Sequence, residues 1–139
     1  MSIKIKIISS KQDLEVAFSI RSTVFVTEQN VPENIEWDKF EKTSTHVLAY
    51  FNEKPIGTAR WRETEKGFKL ERFAVLKKYR SIGVGAELVR FALNELKGMK
   101  NIYLHAQEQV IPFYKKFHFI KKGNKFIEAG INHWKMVFK

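Results

Sequence analysis

The chain has 139 residues, which suits a single domain over residues 1–139 that buries roughly two-thirds of its unfolded surface. Hydrophobic residues make up 44% and aromatic residues 14%, which excludes a disordered chain. The chain has no cysteine, which excludes disulfides, thiolate metal sites and a cysteinyl acyl-enzyme. The net charge of +10 favours acidic partners, among which nucleic acid, an anionic membrane and phosphorylated small molecules all qualify.

No targeting segment or metal site is expected. Residues 1–7 alternate charge with isoleucine instead of forming an apolar signal core, and no later apolar run approaches membrane-spanning length. We therefore expect a cytoplasmic protein without a membrane partner. Four histidines without close paired spacing predict no metal. No helix has a clustered basic face, so no nucleic-acid partner is expected, and the chain is expected to be a monomer or a homodimer.

The first third of the chain predicts a strand, a helix and an irregular segment. Residues 3–8 alternate apolar and polar side chains and predict a half-buried strand. Ser10 followed by Asp13 is typical of a helix start, and apolar residues then recur at helical spacing to about Gln29. Residues 28–41 lose this periodicity and predict a loop or a short second helix.

The middle of the chain predicts three successive antiparallel strands, at residues 46–51, 56–63 and 68–75. An apolar stripe from Ala86 to Leu96 then predicts a helix that ends at Gly98. The next strand, residues 101–106, should lie parallel to residues 70–75, because a helix crosses over between them.

The last third predicts a short helix at about residues 108–117 and three strands, at residues 119–122, 125–129 and 132–138. The order is therefore β-α-(α)-β-β-β-α-β-α-β-β. This pattern predicts an α/β fold with a mixed, mostly antiparallel sheet flanked by helices.

Residues 79–86 lie between a predicted strand and the most regular predicted helix, and their composition suits an anion site. Gly83 and Gly85 allow backbone angles that strain other residues and let the main chain approach a ligand closely. The first N–H groups of the helix lack intrahelical partners, and the helix dipole is positive there. With Arg80 nearby, this segment suits a phosphate group. A plain glycine turn between strand and helix is the alternative.

Residues 28–41 carry five acidic residues against one lysine, a local charge of −4 in a basic chain. This reversal suggests a site for a cation. Alternatively, the acids make a loop soluble or pair with the surplus lysines. The five acids are Glu28, Glu33, Glu36, Asp38 and Glu41.

Four motifs together resemble a known family. Arg80-x-x-Gly83-x-Gly85, preceded by Phe73-Ala74-Val75, resembles the acyl-CoA signature of the GNAT superfamily of N-acyltransferases. Phe113-Tyr114-x-x-Phe117-x-Phe119 resembles the family's later helix-strand motif, with His118 where glycine is usual. Two stretches resemble the ElaA/YjcF-like branch: Arg21-x-x-Val24-Phe25-Val26-x-Glu28-Gln29-x-Val31-Pro32 with Glu36-x-Asp38, and Phe126-x-Glu128-Ala129-Gly130-Ile131-x-His133-x-x-Met136. The resemblance covers essentially the whole chain.

The resemblance implies a GNAT-like fold and an acetyl-CoA-dependent N-acetyltransferase. The acetyl group would pass to a primary amine of a small molecule by direct attack in a ternary complex, without a covalent enzyme intermediate. In this family the pantetheine arm pairs with the central strand, here at Phe73, Ala74 and Val75, and an N–H near Val75 would bond the acetyl carbonyl. The diphosphate would be bound by Arg80, Ser81, Ile82, Gly83, Val84, Gly85 and Ala86.

The resemblance also implies catalytic residues. The family has a tyrosine at the position of Tyr114, where a phenol can protonate the departing thiolate, although this residue also suits the edge of a core. Glu71 on the central strand is the first choice for a proton acceptor. The alternatives are Glu28, His46, His105 and His133. The acceptor wall is expected to include Glu28, Glu36, Asp38 and His133.

Two other functions remain open. Arg21, Phe25 and Glu36-x-Asp38-x-Phe40-Glu41 also resemble acyl-homoserine lactone synthases, for which this chain is short. The other alternative is a catalytically silent module that binds CoA or nucleic acid through its basic surface.

Overall fold

The computed structural model describes residues 2–139. The strands are β1 (Ile3–Ile7), β2 (Thr45–Phe51), β3 (Lys54–Thr64), β4 (Gly67–Val75), β5 (Ile102–Gln107), β6 (Phe119–Glu128) and β7 (Ile131–Phe138). The α-helices are α1 (Lys11–Arg21), α2 (Glu33–Glu36), α3 (Val84–Glu95) and α4 (Ile111–Lys115). A π-helical segment, Ser22–Glu28, continues α1, and 3₁₀-helices at Lys77–Ile82 and Glu108–Val110 precede α3 and α4.

The seven strands form one sheet in the order β1-β2-β3-β4-β5-β7-β6. Among the strands of residues 2–139, only β4 and β5 pair in parallel, as the crossover through α3 requires. The predicted α/β fold with a mixed, mostly antiparallel sheet is therefore confirmed. The predicted helix start is also present, since the Asp13 N–H donates to Ser10 Oγ at 3.1 Å.

Two predicted strands near the end of the chain, residues 119–122 and 125–129, are in fact one strand, β6. The ladder with β7 shifts register between Lys122 and Phe126, and Gly123 lies at φ +83°. Gly123 therefore makes a bulge within a continuous strand, where the sequence predicted a turn.

Each face of the sheet packs on a helix. On one face Leu88, Val89 and Ala92 of α3 are fully buried in the larger core cluster. α3 can approach the sheet closely because Gly57 has no side chain. A Cβ at this position would lie only 3.1 Å from Val84 Cγ1. The opposite face packs on α1 through a smaller cluster, whose buried members are Ala17, Ile20, Val24, Leu48 and Ala74.

The parallel strands β4 and β5 pair over only three residues, from Phe68 with Ile102 to Leu70 with Leu104. Beyond that point β4 carries a bulge. The β3–β4 register shifts, and Arg72 lies at φ +59°, a left-handed conformation that costs about 1–3 kcal/mol for a non-glycine residue. The two strands therefore separate and leave an opening near the middle of the sheet.

Candidate active site

The turn before α3 presents main-chain N–H groups to open space. Gly83 lies at φ +90°, and a Cβ built on it would have no atom within 4 Å. The Glu87 N–H donates to Gly83 O at 3.1 Å. The amides of residues 84–86 precede this first bond of the helix, and the positive end of the helix dipole lies beside them. This geometry suits an anion.

Gly85 has a different role, because a Cβ on it would lie 3.5 Å from Phe113 Cζ. A methyl group would make an ordinary contact there, but a larger side chain would press on the ring. The second glycine thus lets the start of α3 pack against α4, the helix that carries Tyr114.

Arg80 joins this turn to the central strand. Its Nε donates to Val75 O at 2.8 Å, and its Nη2 lies 2.9 Å from Glu28 Oε2. Glu28, which was expected in the acceptor wall, thus lies beside the turn before α3, and its side chain is not among those that line the central cavity.

A cavity of about 380 Å³ runs through the opening between β4 and β5. Leu70 and Leu104 line it from the α3 side, where both belong to the larger core cluster. Glu71 and His105, their neighbours in the chain, line it from the opposite face, because successive side chains of a strand alternate. Two molecules that approach from opposite faces of the sheet can therefore meet inside this cavity.

The central strand presents a main-chain donor to the same opening. The Leu76 N–H donates to Ile56 O, next to β3, at 2.9 Å. Since successive N–H groups point to opposite edges of a strand, the Val75 N–H points away from β3 and toward the opening.

The structure brings many of the predicted site residues together around this cavity and leaves others outside it. The predicted residues that line it are Glu36, Asp38, Glu71, Phe73, Tyr114 and His133. Ala74 and Val75 do not line it, nor do residues 80–86 of the anion site.

Tyr114 projects into an aromatic environment next to the opening. Its side chain is 9% exposed, and its ring lies edge-on to those of Phe73 and Phe119, with centroids 6.2 and 6.0 Å away. Burial raises the pKa of the Tyr114 phenol well above its usual value. The hydroxyl therefore keeps its proton at neutral pH.

The opposite side of the cavity rests on a buried ion network around Arg60, which is fully buried. Its Nη2 lies 2.6 Å from Asp38 Oδ2 and 2.8 Å from Glu71 Oε1, and its Nη1 lies 2.8 Å from Glu41 Oε1. These contacts satisfy the buried guanidinium and fix the irregular segment against β3 and β4.

Three more arginines, Arg21, Arg62 and Arg72, complete what we call the arginine network. Arg21 of α1 is 1% exposed and donates from Nε to Glu36 Oε2 at 2.7 Å, while its two terminal nitrogens donate to Glu41 at 2.8 Å. Arg72, at the bulge, donates to Asp38 Oδ2 at 3.3 Å. The members of the network are Arg21, Arg60, Arg62 and Arg72 with Glu36, Asp38, Glu41 and Glu71.

This network corrects the interpretation of residues 28–41 as a site for an external cation. The cations that Glu36, Asp38 and Glu41 bind are arginines of the same chain. The alternative was that these acids pair with surplus lysines. The three acids do pair with basic residues of the chain, but the partners are arginines. The sequence analysis did not identify Arg60 and Arg62 as part of the site. The available signal was that both are charged residues at alternate positions, hence on one face, of a strand whose other residues suit a buried position.

The same contacts count against Glu71 as the proton acceptor. Its Oε1 accepts from Arg62 Nε at 2.6 Å and from Arg60, and its Oε2 lies 3.3 Å from Lys69 Nζ. Burial opposes ionisation, but these cations outweigh it and hold the pKa of Glu71 below its usual value. A carboxylate surrounded in this way is a weak base.

The three histidine candidates differ in position. His46 is buried and donates from Nε2 to the main-chain oxygen of Glu41 at 2.7 Å. It does not line the cavity. Burial lowers the pKa of His46. His133 lines the cavity and donates from Nδ1 to Ile131 O at 2.8 Å. His105 also lines it, and its Nδ1 lies 3.1 Å from an oxygen of Glu128.

Comparisons with known proteins agree with this geometry. A family model described as an acetyltransferase (GNAT) domain matches residues 9–139. The chain is 41% identical over 138 residues to YjcF of Bacillus subtilis strain 168, described as an uncharacterized N-acetyltransferase, with 96% of this chain and 98% of that protein covered. The crystal structure of Escherichia coli ElaA matches with a TM-score of 0.89 at 25% identity, covering 99% of this chain and 100% of that chain. An acyl-CoA N-acyltransferase from Pseudomonas aeruginosa matches with a TM-score of 0.89 at 21% identity and the same coverage.

The chain therefore belongs to the GNAT acetyltransferase family, in its ElaA/YjcF-like branch. The predicted GNAT-like fold is confirmed, and family membership makes the protein an acyltransferase with an acyl-CoA donor. Within residues 2–139, no helix is long and apolar enough to cross a membrane. The same residues hold no group of three or more histidine or acidic side chains placed to bind a metal ion.

Proposed function

We propose that this protein transfers an acetyl group from acetyl-CoA to a primary amine of a small molecule, by direct attack in a ternary complex. The observation that carries the proposal is the cavity through the β4–β5 opening. An anion site lies on one side of the sheet and a polar, charged wall on the other. A donor and an acceptor that enter from opposite faces would have their reacting atoms side by side.

The donor would occupy the side of α3 and α4. The diphosphate of CoA would accept hydrogen bonds from main-chain amides within residues 81–86, where the space over Gly83 is open. Arg80, now held by Val75 O and Glu28, would turn to the phosphates. The pantetheine arm would lie along Phe73–Val75 as an added strand, because β5 does not pair with that part of β4.

The reaction needs two groups on the donor side: a hydrogen-bond donor for the acetyl oxygen and an acid for the departing thiolate. The Val75 N–H, which points to the opening, would bond the acetyl oxygen and stabilise its negative charge as the amine attacks. As the carbon–sulfur bond breaks, the Tyr114 hydroxyl would give its proton to the thiolate. The products are an amide and free CoA.

The acceptor would occupy the opposite side, where Asp38 and His133 line the cavity. The Asp38 side chain is 25% exposed and would take the acceptor cation as a third partner beside Arg60 and Arg72, whereas Glu36, 3% exposed, is bound only within the arginine network. The neutralised carboxylates would give the wall a fixed shape with little net charge.

Ligand-dependent thermal unfolding tests the donor half of this proposal. Acetyl-CoA at 100 times its dissociation constant should stabilise the fold by about 2.7 kcal/mol, and a DNA duplex should not. Stabilisation by DNA alone would instead support a nucleic-acid-binding module. Stabilisation by acetyl-CoA without acetylation of any amine would support a silent CoA-binding protein.

A further inference from the structure

A histidine and a carboxylate form a hydrogen-bonded pair at the opening. His105 follows Leu104, the last residue of β5 that pairs with β4. Its Nδ1 lies 3.1 Å from Glu128 Oε1 at the end of β6. Both side chains line the cavity, on the face opposite α3. The pair thus lies where an acceptor would meet the thioester.

The hydrogen bond fixes which ring nitrogen is available. A carboxylate can only accept, so Nδ1 of His105 carries the proton that it donates to Glu128. The neutral imidazole then has its lone pair on Nε2. The rings of Phe126 and Tyr103, with centroids 5.0 and 6.0 Å away, pack around the imidazole and hold its plane.

The other charged groups near this pair are already engaged. Glu71, across the opening on β4, is bonded to Arg60, Arg62 and Lys69. Lys69 and His133 lie close enough to Glu128 to favour its ionised form, and the hydrogen bond from His105 contributes most to holding the pKa of Glu128 at about 2. Glu128 is therefore an anion throughout the working pH range.

The remaining groups on this face include two of β7 and Lys122 of β6, which pairs across from Lys135. Lys135 pairs across from His105 in the β5–β7 ladder, so its side chain shares the face, and its ammonium lies 4.9 Å from the centre of the Tyr103 ring. His133 is 7% exposed, stacks on Phe126, and is one strand further from the opening than His105. His105 is thus the histidine next to β4.

We propose that His105 is the proton acceptor for the attacking amine and that Glu128 is its positioning residue, an inference that rests on the proposed acetyl transfer. Nε2 of His105 takes a proton from the acceptor ammonium. The neutral nitrogen then forms a bond to the acetyl carbon, the carbon–sulfur bond breaks, and the thiolate takes a proton from Tyr114. The excess proton that the new amide nitrogen still carries passes to the Tyr114 phenolate and restores the hydroxyl. The balance is an ammonium and a thioester converted to an amide, a thiol and one proton.

The first test needs no acceptor. In ¹⁵N-labelled full-length protein, imidazole nitrogen shifts report the tautomer of neutral His105. We expect the proton on Nδ1 in the wild type and a mixture of tautomers in Glu128→Gln. A neutral His105 with its proton on Nε2 overturns the proposal.

The second test is kinetic and uses a matched pair of variants, His105→Asn and His118→Asn. His118 is exposed, lies outside the cavity, and has φ +70°, a conformation that asparagine tolerates. With acetyl-CoA and an amine that the wild type acetylates, His105→Asn should lower kcat about 100-fold near pH 7. The KM for acetyl-CoA should stay the same, and the deficit should shrink as pH rises, because free amine becomes abundant. His118→Asn should behave as wild type.

The outcomes separate the two proposals. If His105→Asn keeps wild-type turnover while Tyr114→Phe loses it, the assignment of His105 fails and acetyl transfer stands. The same holds if His133→Asn reproduces the loss and its pH dependence while His105→Asn does not. If the wild type binds acetyl-CoA but acetylates no amine, acetyl transfer itself fails, and the role of His105 fails with it. Thermal unfolding of each variant confirms that it is folded.

Discussion

The guanidinium of Arg60 holds one carboxylate oxygen of Glu71 between two of its nitrogens, with Nε 3.1 Å and Nη2 2.8 Å from Oε1. Arg60 is fully buried, so neither group can exchange this contact for water. The pair joins β3 to β4 beside the bulge that opens the sheet. Glu71 thus helps to build the cavity wall opposite α3, and this role competes with the catalytic one that its position on the central strand suggested.

Loss of Arg60 should be strongly destabilising. Arg60→Met leaves Asp38, Glu41 and Glu71 without their shared cation, and removal of one partner from a buried ion pair costs about 3–5 kcal/mol. Urea unfolding at neutral pH measures this loss. The control is Arg90→Met, because Arg90 and Glu87 form an exposed pair on α3 that should contribute less than about 1 kcal/mol. Equal effects of the two changes would contradict the structural role of the network.

Stability should fall in acid, and Asp38 should contribute to the fall. Burial opposes ionisation of Asp38, but the hydrogen bonds from Arg60 and the Phe40 N–H, together with the charges of Arg60 and Arg72, outweigh it and hold the pKa of Asp38 at about 2, below the usual 3.8. The pKa is depressed in the folded state, so this stabilisation is present above about pH 4 and is lost as pH falls toward about 2. The pKa values of Glu41 and Glu71 are also lowered, so these residues likewise lose stabilisation as pH falls. Burial raises the pKa of Glu36, so its contribution to stability changes with pH in the opposite direction.

Asp38→Asn should therefore flatten the pH dependence of the urea midpoint between about pH 4 and 2. The matched control is Asp13→Asn. Asp13 pairs with the exposed Lys6 and lies outside the network, so this variant should follow the wild-type curve. A curve for Asp38→Asn as steep as that of the wild type would show that Arg60 does not depress the pKa of Asp38.

The anion site can be tested with two glycines in the same conformation. Gly83 and Gly98 lie at φ +90° and +87°, and a Cβ on either would meet nothing within 4 Å. Glutamate at either position should cost about 1–3 kcal/mol of backbone strain and leave the fold intact. Only Gly83→Glu places a carboxylate where the CoA diphosphate would bind, so only this variant should lose acetyl-CoA binding, by at least about 100-fold.

Isothermal titration with acetyl-CoA measures this difference. Retained affinity in Gly83→Glu would refute the anion site, and equal loss in Gly98→Glu would show that strain, not position, causes the effect.

Tyr114→Phe should separate turnover from binding. The variant keeps the buried ring but removes the proton donor, so kcat should fall about 100-fold while acetyl-CoA affinity changes less than about threefold. The control is Tyr103→Phe, whose hydroxyl lies 2.7 Å from Thr64 Oγ1 and is not at the cavity. That variant should lose about 1 kcal/mol of stability and no activity. Unchanged turnover in Tyr114→Phe would remove it as the acid.

The elements with a clear period or a glycine signal could be predicted from the sequence. The stripe of α3, the alternation of β1 and the parallel crossover to β5 depend on local pattern and on chain connectivity. The same holds for Gly83, where the sequence indicated backbone angles that strain other residues and the structure has φ +90°. His118, which stands where the family usually has glycine, also lies at a positive φ of +70°.

The opening of the sheet and the arginine network could not be predicted in this way. The bulge in β4 uses Arg72, and arginine gives no local signal for a left-handed backbone. The partners of Arg21 lie 15 and 20 residues away along the chain, so composition alone showed an excess of acid without its cations. The pairing of His105 with Glu128, 23 residues apart, likewise depends on β7 lying between β5 and β6.

The most direct measurement is thiol release from acetyl-CoA by the wild-type protein with a panel of small amines, with the acylated product identified by mass spectrometry. We predict thiol release that depends on at least one amine, an equal amount of N-acetylated product, and no acetylated protein intermediate. Longer acyl-CoA donors in parallel define the acyl preference. Tight binding of acetyl-CoA with no amine-dependent thiol release across the panel would contradict the proposed acetyl transfer.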